Sequence, residues 1–363
     1  MMAVDSEAGG SSGRGEGGND RGDTVRGSEG QVEVLMATHN GEKYLSSQIE
    51  SILAQDYSNV LLTIFDDGST DGTIRCIEQH VGGGADVGGG RRVRLVGSER
   101  IGLPEVFFHL LSFVDPQSRY IGYADQDDLW LPGKVSRAVR FLGTLPEGEP
   151  GMYCSRVFIA DERLEVTGVT PIPERGASFA NALVQGIAPG STMLFNRKAA
   201  NLLASFTPRD SPMHDWWTYL VISATGNVLY DALPSLLYRQ HSANARGVGD
   251  NGRWSWRKRI LWHFQEGAHS STRQAAELRE WLDSGAGAGG KGEDGADGAG
   301  ENGADIAHTG IVAHPGAITE LSDFLNSQDR LVSRLHYISS GKAHRQRKVD
   351  DLVMRALYLL GRI

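Results

Sequence analysis

Cysteine is scarce in this chain. Cys76 and Cys154 are the only two in 363 residues, far apart and without a partner pattern, which excludes both a disulfide framework and a cysteine-built metal site. Thiol usage of this kind fits a reducing cytoplasm. Long apolar runs are missing too. No stretch reaches about eighteen apolar residues, and the first thirty hold no apolar core behind a basic start, so neither a membrane span nor a signal peptide is expected. Positive charge is also short, with 36 Lys and Arg against 45 Asp and Glu and a formal charge of -9. A general nucleic-acid binder, which carries a basic excess on one face, is therefore not expected.

Glycine is abundant instead, at 47 residues, and concentrates in 7–30, 82–90 and 284–304. These stretches cannot bury apolar area. Residues 1–30 are expected as a disordered tail, 82–90 as a loop insertion and 284–305 as a flexible acidic linker. The length suits one large domain with an additional piece.

The chain turns on Tyr120-Ile121-Gly122-Tyr123-Ala124-Asp125-Gln126-Asp127-Asp128-Leu129-Trp130-Leu131-Pro132. Its apolar first half has the make-up of a short buried strand, and the acids would sit at the carboxyl end, the edge where open α/β sheets bind ligands. Three acids within four positions repel one another unless a cation lies between them. A hard divalent ion such as Mg²⁺ or Mn²⁺, held by one or two carboxylates and completed by substrate phosphates, meets that need. The competing reading is a solvated acidic turn, with Asp128 as a helix cap and Pro132 at a first helical position.

Earlier in the chain, 31–37 reads as a first strand and Thr38-His39-Asn40-Gly41 as the turn leaving it. Leu45, Ile49, Ile52 and Leu53 then form one stripe of a helix over 42–55. Residues 60–65 read as a strand buried on both faces, so strand, helix and strand make a βαβ unit with a parallel sheet. Asp66-Asp67-Gly68-Ser69-Thr70-Asp71-Gly72 follows. Its acid spacing approaches that of a calcium loop, but strand composition precedes it where an EF-hand needs a helix. A strand-to-helix turn, capped by Ser69, Thr70 or Asp71, is expected there. Helices are further expected over 104–114 and 131–145, with a hairpin around 161–163 after a strand at 152–159. Met213-His214-Asp215-Trp216-Trp217 puts an acid before an aromatic helix. The plain reading is a cap and two core tryptophans; an acid partly desolvated among indoles would have a raised pKa useful to a base.

Taken together, these stretches resemble the family 2 glycosyltransferases of the GT-A fold, in particular the bacterial branch that resembles rhamnosyltransferases. The motifs are Leu-Met-Ala-Thr-His-Asn-Gly-Glu-Lys-Tyr-Leu at 35–45, Asp-Asp-Gly-Ser-Thr-Asp-Gly-Thr at 66–73, Asp-Gln-Asp-Asp-Leu-Trp-Leu-Pro at 125–132, and His-Asp-Trp-Trp at 214–217 followed by Tyr-Arg-Gln-His at 238–241. The resemblance covers 31–245. It implies an α/β, Rossmann-like, mostly parallel sheet flanked by helices, with a C-terminal helical appendage beyond it.

By the same resemblance, Thr38, His39, Asn40 and Asp67 would contact the base and ribose of a UDP, dTDP or GDP sugar, with Asp125 on the donor as well. Asp127 would be the firmest ligand of Mn²⁺ or Mg²⁺ and His241 a further one. Asp215 would be the base that deprotonates a hydroxyl of a glycan or lipid-linked acceptor, and a single displacement implies inversion. His39 stands where an aromatic such as Tyr is common in the family, and Ser191 where Cys or Asn is. The alternatives are a nucleotidyltransferase, whose Gly-rich basic loop is missing after the first strand, and a non-catalytic binding module, which would have lost the acids.

The remainder, 246–283 and 306–363, reads as helical. Residues 253–262 mix three tryptophans with four basic residues. Val349, Leu352, Val353, Ala356, Leu357 and Leu360 form an apolar stripe flanked by basic residues within 345–362. Packing on the body is one expectation for both; contact with the inner face of the plasma membrane is the other.

Overall fold

The computed structural model describes residues 30–81, 92–241, 270–286, 312–328 and 330–359. The tail, the insertion at 82–90, the tryptophan-rich segment 253–262 and nearly all of the 284–305 stretch lie outside these residues.

The centre is β1 (Gln31–Thr38), paired in parallel with β2 (Val60–Asp66), which in turn pairs in parallel with β3 (Arg92–Ser98). On the other side of β1 lies β4 (Ser118–Ala124), again parallel. The remaining strands are β5 (Leu129–Trp130), β6 (Gly151–Ala160), β7 (Val166–Val169), β8 (Leu194–Asn196) and β9 (Asn227–Arg239). They complete one sheet in the order β3-β2-β1-β4-β8-β6-β9-β5, with β7 on the edge of β6. The expected α/β class holds. Parallel pairing runs through β3-β2-β1-β4, and β8 then enters antiparallel to β4 and to β6.

Both faces of β1 and β2 are buried, as their near-continuous apolar runs require. On one face Val32, Val34 and Met36 meet Leu45, Ile49 and Ile52 of α1 (Leu45–Leu53). Each such side chain, fully buried, contributes about 1.5–3 kcal/mol. On the other face Leu35 and Tyr123 join α3 (Glu105–Leu110), α6 (Arg197–Ala204) and α7 (His214–Thr225). The helices α2 (Thr73–Glu78), α4 (Lys134–Leu142) and α5 (Phe179–Ala182) complete the flanks.

Two details of the acidic turn differ from its capping reading. The helix begins at Lys134, after Gly133 at φ +81°, so Pro132 does not sit at a first helical position. Asp128 is wholly buried and caps no helix. In the α2 turn the cap position falls on Gly72, not on Ser69, Thr70 or Asp71, and Asp71, one residue earlier, accepts from the Thr73 N–H at 3.0 Å.

The C-terminal helices are α8 (Ser270–Ala286), α9 (Pro315–Asn326), α10 (Leu331–Ser339) and α11 (Lys348–Leu359). They enter the same core as α7 through Ala275, Leu278, Trp281, Leu321, Phe324 and Tyr358. On α11 the buried face is Asp351, Met354 and Tyr358, whereas Leu352 and Ala356 of the expected stripe are exposed. The reason is local. Tyr358 stacks on Tyr337 at 5.7 Å, and burying two aromatic rings against Phe324 sets the helix rotation.

Candidate active site

Parallel register brings the strand ends together. Thr38 is level with Asp66 and Met36 with Ala124, so the turns after β1, β2 and β4 open on one edge of the sheet. The first two are sewn to each other. Thr38 donates to Asp66 at 3.2 Å, the Asn40 N–H to Ser69 Oγ at 2.9 Å, and the Gly41 N–H to Thr73 Oγ1 at 2.8 Å. Asn40 sits at φ +49° and takes the Thr70 N–H on its Oδ1 at 2.8 Å. An asparagine tolerates this left-handed backbone because its short amide bonds locally.

Gln126, between the acids, ties the third turn to the first. Its amide pairs with both backbone groups of His39, accepting at 2.9 Å and donating at 3.0 Å. Gly41 makes room for it, since a Cβ there would stand 2.3 Å from Gln126 Oε1 and displace the amide. His39 and Asn40 are exposed at this edge, whereas Thr38 and Asp67 are buried. Asp67 Oδ1 accepts from the N–H groups of Ile101 and Gly102 at 2.5 and 2.8 Å, and Oδ2 pairs with Arg100 at 3.0 Å. Thr38 and Asp67 thus anchor the turns from which His39 and Asn40 are exposed.

The acids lie deeper. Asp127 Oδ2 meets His241 Nε2 at 2.7 Å, two residues separated by 114 positions. Arg239 holds the Asp127 end of that contact. Its Nε donates to the Asp127 carbonyl and its Nη1 to the Glu162 carbonyl, each at 2.8 Å, and its N–H reaches Asp128 Oδ1 at 3.3 Å. Tyr44 lies between Arg239, 4.5 Å from its ring, and His241, 4.8 Å away. Burial, then Asp127 and Asp215, push the Asp125 carboxyl well above the usual range, and Ser191 partly offsets this. Asp128 is raised likewise by burial and by Asp125 and Asp127. The Tyr238 phenol, raised by burial and by all four acids, stays protonated among them.

Asp215 stands on the first turn of α7, where the helix dipole favours a carboxylate. Its Oδ2 accepts from the Gly190 N–H at 3.2 Å. Trp216 and Trp217 are both buried, as the core-tryptophan reading expects. His214 stacks on Phe107 at 3.7 Å, and burial lowers its pKa to about 3, so it is neutral.

The structure therefore brings Asp125, Asp127, Asp215 and His241 together at the carboxyl edge of the sheet, near His39 and Asn40. Asp127 and His241 form a pair of donors, and among the described residues no group of three His, Cys, Asp or Glu side chains converges on a metal position. Such a pair fits a hard cation whose remaining positions are filled by phosphate oxygens and water. Sequence reading passed over Gln126, Arg239 and Tyr44 as site residues. Each lies inside a motif already singled out, but its role depends on a partner far along the chain. Lys134 was missed as well. It is wholly buried with Nζ 3.6 Å from the Trp130 ring, and burial followed by Arg137 lowers its pKa to about 7 while Asp128 opposes the shift.

Residues 33–202 match the family model described as Glycosyl transferase family 2. The chain is 27% identical over 224 residues to dTDP-rhamnosyl transferase RfbG of Shigella flexneri, covering 59% of this chain and 74% of the relative. It is 26% identical over 153 residues to UDP-Glc:alpha-D-GlcNAc-diphosphoundecaprenol beta-1,3-glucosyltransferase WfaP of Escherichia coli, covering 39% of this chain and 51% of that relative. Among solved structures, a mannosyltransferase from Pyrobaculum calidifontis in complex with GDP-Man and Mn2+ aligns at a TM-score of 0.47 and 16% identity, covering 91% of this chain and 85% of that one.

Proposed function

We propose that this chain, a family 2 glycosyltransferase by its residues 33–202, transfers a sugar with inversion from a nucleoside-diphosphate donor to a hydroxyl of a glycan or lipid-linked acceptor, in a divalent-metal-dependent reaction of cell-surface polysaccharide synthesis. The observation that carries this reading is the Asp127–His241 contact at the carboxyl edge of the sheet, in the same cleft as Asp215. In it, 31–245 is the catalytic body. His39 and Asn40 contact the base and ribose, and Thr38 and Asp67 hold the wall in which those two sit. Asp127 and His241, with Asp125 in support, hold Mn²⁺ or Mg²⁺, which as a Lewis acid offsets charge on the leaving diphosphate.

Asp215 is the base. It takes the proton of the acceptor hydroxyl while that oxygen bonds to the anomeric carbon and the bond from that carbon to the diphosphate oxygen breaks. Arg239 fixes the Asp127 backbone so that the carboxylate is preorganised. The activity for which the Shigella relative is named favours a dTDP sugar as donor, and that of the Escherichia coli relative a diphosphate lipid as acceptor. Such an acceptor would place the enzyme at the inner face of the plasma membrane. No helix among the described residues is long and apolar enough to cross it.

The test is a thermal-shift panel of dTDP, UDP and GDP sugars, with Mn²⁺ and with EDTA. A donor at about a hundred times its Kd stabilises by about 2.7 kcal/mol. Stabilisation by one nucleotide class that needs metal and vanishes in Asp127→Ala supports the reading. Full turnover in excess EDTA sinks its metal-dependent part.

A further inference from the structure

The C-terminal helices expose a face that the catalytic reading does not use. Tyr337 of α10 turns inward onto Phe324 and Tyr358. On the opposite side of the same helix Leu331, Val332 and Leu335 are 58%, 76% and 49% exposed. α11 repeats the arrangement, with Met354 and Tyr358 inside and Leu352 70% exposed. Large apolar side chains grouped in this way mark a surface that something covers.

Charge indicates what covers it. Residues 330–363 carry eight Lys and Arg against two Asp, inside a chain of net charge -9; of these Arg345 is buried, and Lys342 and Arg355 are paired with Asp323 and Asp351. Arg330, directly before Leu331, and Lys348, at the start of α11, are exposed. A second copy meeting this face about a two-fold axis would set basic against basic. An anionic bilayer satisfies both features at once, taking apolar side chains to the level of its headgroups and attracting the basic ones. Between α9 and α10, beside Val332, lies an open hollow of about 510 Å³ lined by Asp323, Ser333, His336, Tyr337, Ser340 and Lys342, in which Lys342 is paired with Asp323 at 2.6 Å. The Tyr337 hydroxyl is buried there without a hydrogen-bond partner.

We propose that α10 and α11 dock this enzyme on an anionic membrane surface, with Leu331, Val332, Leu335 and Leu352 entering the headgroup boundary. The docking rests on the proposed catalytic reading only for its use, which is to hold the cleft near a membrane-borne acceptor. The full chain is mixed with phosphatidylglycerol or phosphatidylcholine vesicles and floated. It should float with phosphatidylglycerol, weakly with phosphatidylcholine, and less as salt rises. Replacing Leu331, Val332 and Leu335 by Ser should lower the floated fraction at least about tenfold. Leu233→Ser, which removes an exposed leucine elsewhere, should leave it unchanged. Thermal shift with donor should be the same in all three proteins, so failure to float is distinguishable from failure of the catalytic reading. Equal flotation of parent and triple variant overturns the proposal, as does no flotation of the parent. A dimer in sedimentation that the triple variant abolishes also overturns it, making the face a subunit contact.

Discussion

Asp67, proposed above to hold the wall of the donor site, can be tested through the bonds it makes. Its carboxylate is buried, accepts the Ile101 and Gly102 N–H groups at 2.5 and 2.8 Å, and pairs with Arg100 at 3.0 Å. In Asp67→Ala both N–H groups lose their acceptor in a site where water replaces it poorly, at about 1–3 kcal/mol each. The Arg100 pair adds less than about 1 kcal/mol, because the guanidinium is 59% exposed. The sum is about 2–7 kcal/mol, or about 4–28 °C in Tm at about 2–4 °C per kcal/mol for a domain of about 150–250 residues. Asp67→Asn keeps an oxygen for the two N–H groups and loses only the charge, so it should cost about 1–3 kcal/mol. The assay pairs urea unfolding with donor kinetics. Stability should fall in the order parent, Asn, Ala, while donor KM rises and kcat at saturating donor is largely kept, since the loop moves and Asp215 does not. An Ala variant within about 0.5 kcal/mol of the parent, the range of an ordinary surface change, would refute the reasoning.

Asp215→Asn keeps shape and removes proton acceptance, so transfer should slow by about 10²- to 10⁴-fold while donor Kd from thermal shift is kept; lost donor affinity with an intact rate would show that Asp215 is not the base. His214, neutral in the fold down to about pH 3, should make the protein acid-sensitive. Below about pH 6.5 the unfolded chain takes up a proton that the folded chain refuses, and stability falls by up to about 1.4 kcal/mol per pH unit as pH drops through that window. His214→Phe, which keeps a ring on Phe107, should flatten the slope, and equal slopes in chemical unfolding between pH 4 and 6 would count against it. Gly190→Ala would set a Cβ 2.4 Å from His214 Nε2 and 3.3 Å from the Asp215 Cβ. Moving the base should cost on the order of 10² in kcat with donor KM little changed, and an unaltered kcat would mean that the α7 start yields freely.

The local elements and the order of the site motifs were determined by the sequence alone, because they rest on neighbours. Continuous apolar runs made β1 and β2 two-faced strands, the acid cluster ended β4, and His214-Asp215 opened α7. What depends on distant partners was decided by the tertiary structure. Glu33 reads as a polar position, yet it is wholly buried because Arg94 and the hydroxyls of Thr63 and Ser118 converge on it at 2.7, 2.6 and 2.7 Å. Asp128 reads as a cap and lies in the interior, met by the Arg239 N–H. The α11 stripe is legible as apolar, but which side faces in was set by Tyr358 stacking on Tyr337, and that left Leu352 outside. Periodicity records how often a side chain returns to one face of its own helix. Only packing against other segments determines which face buries the larger area.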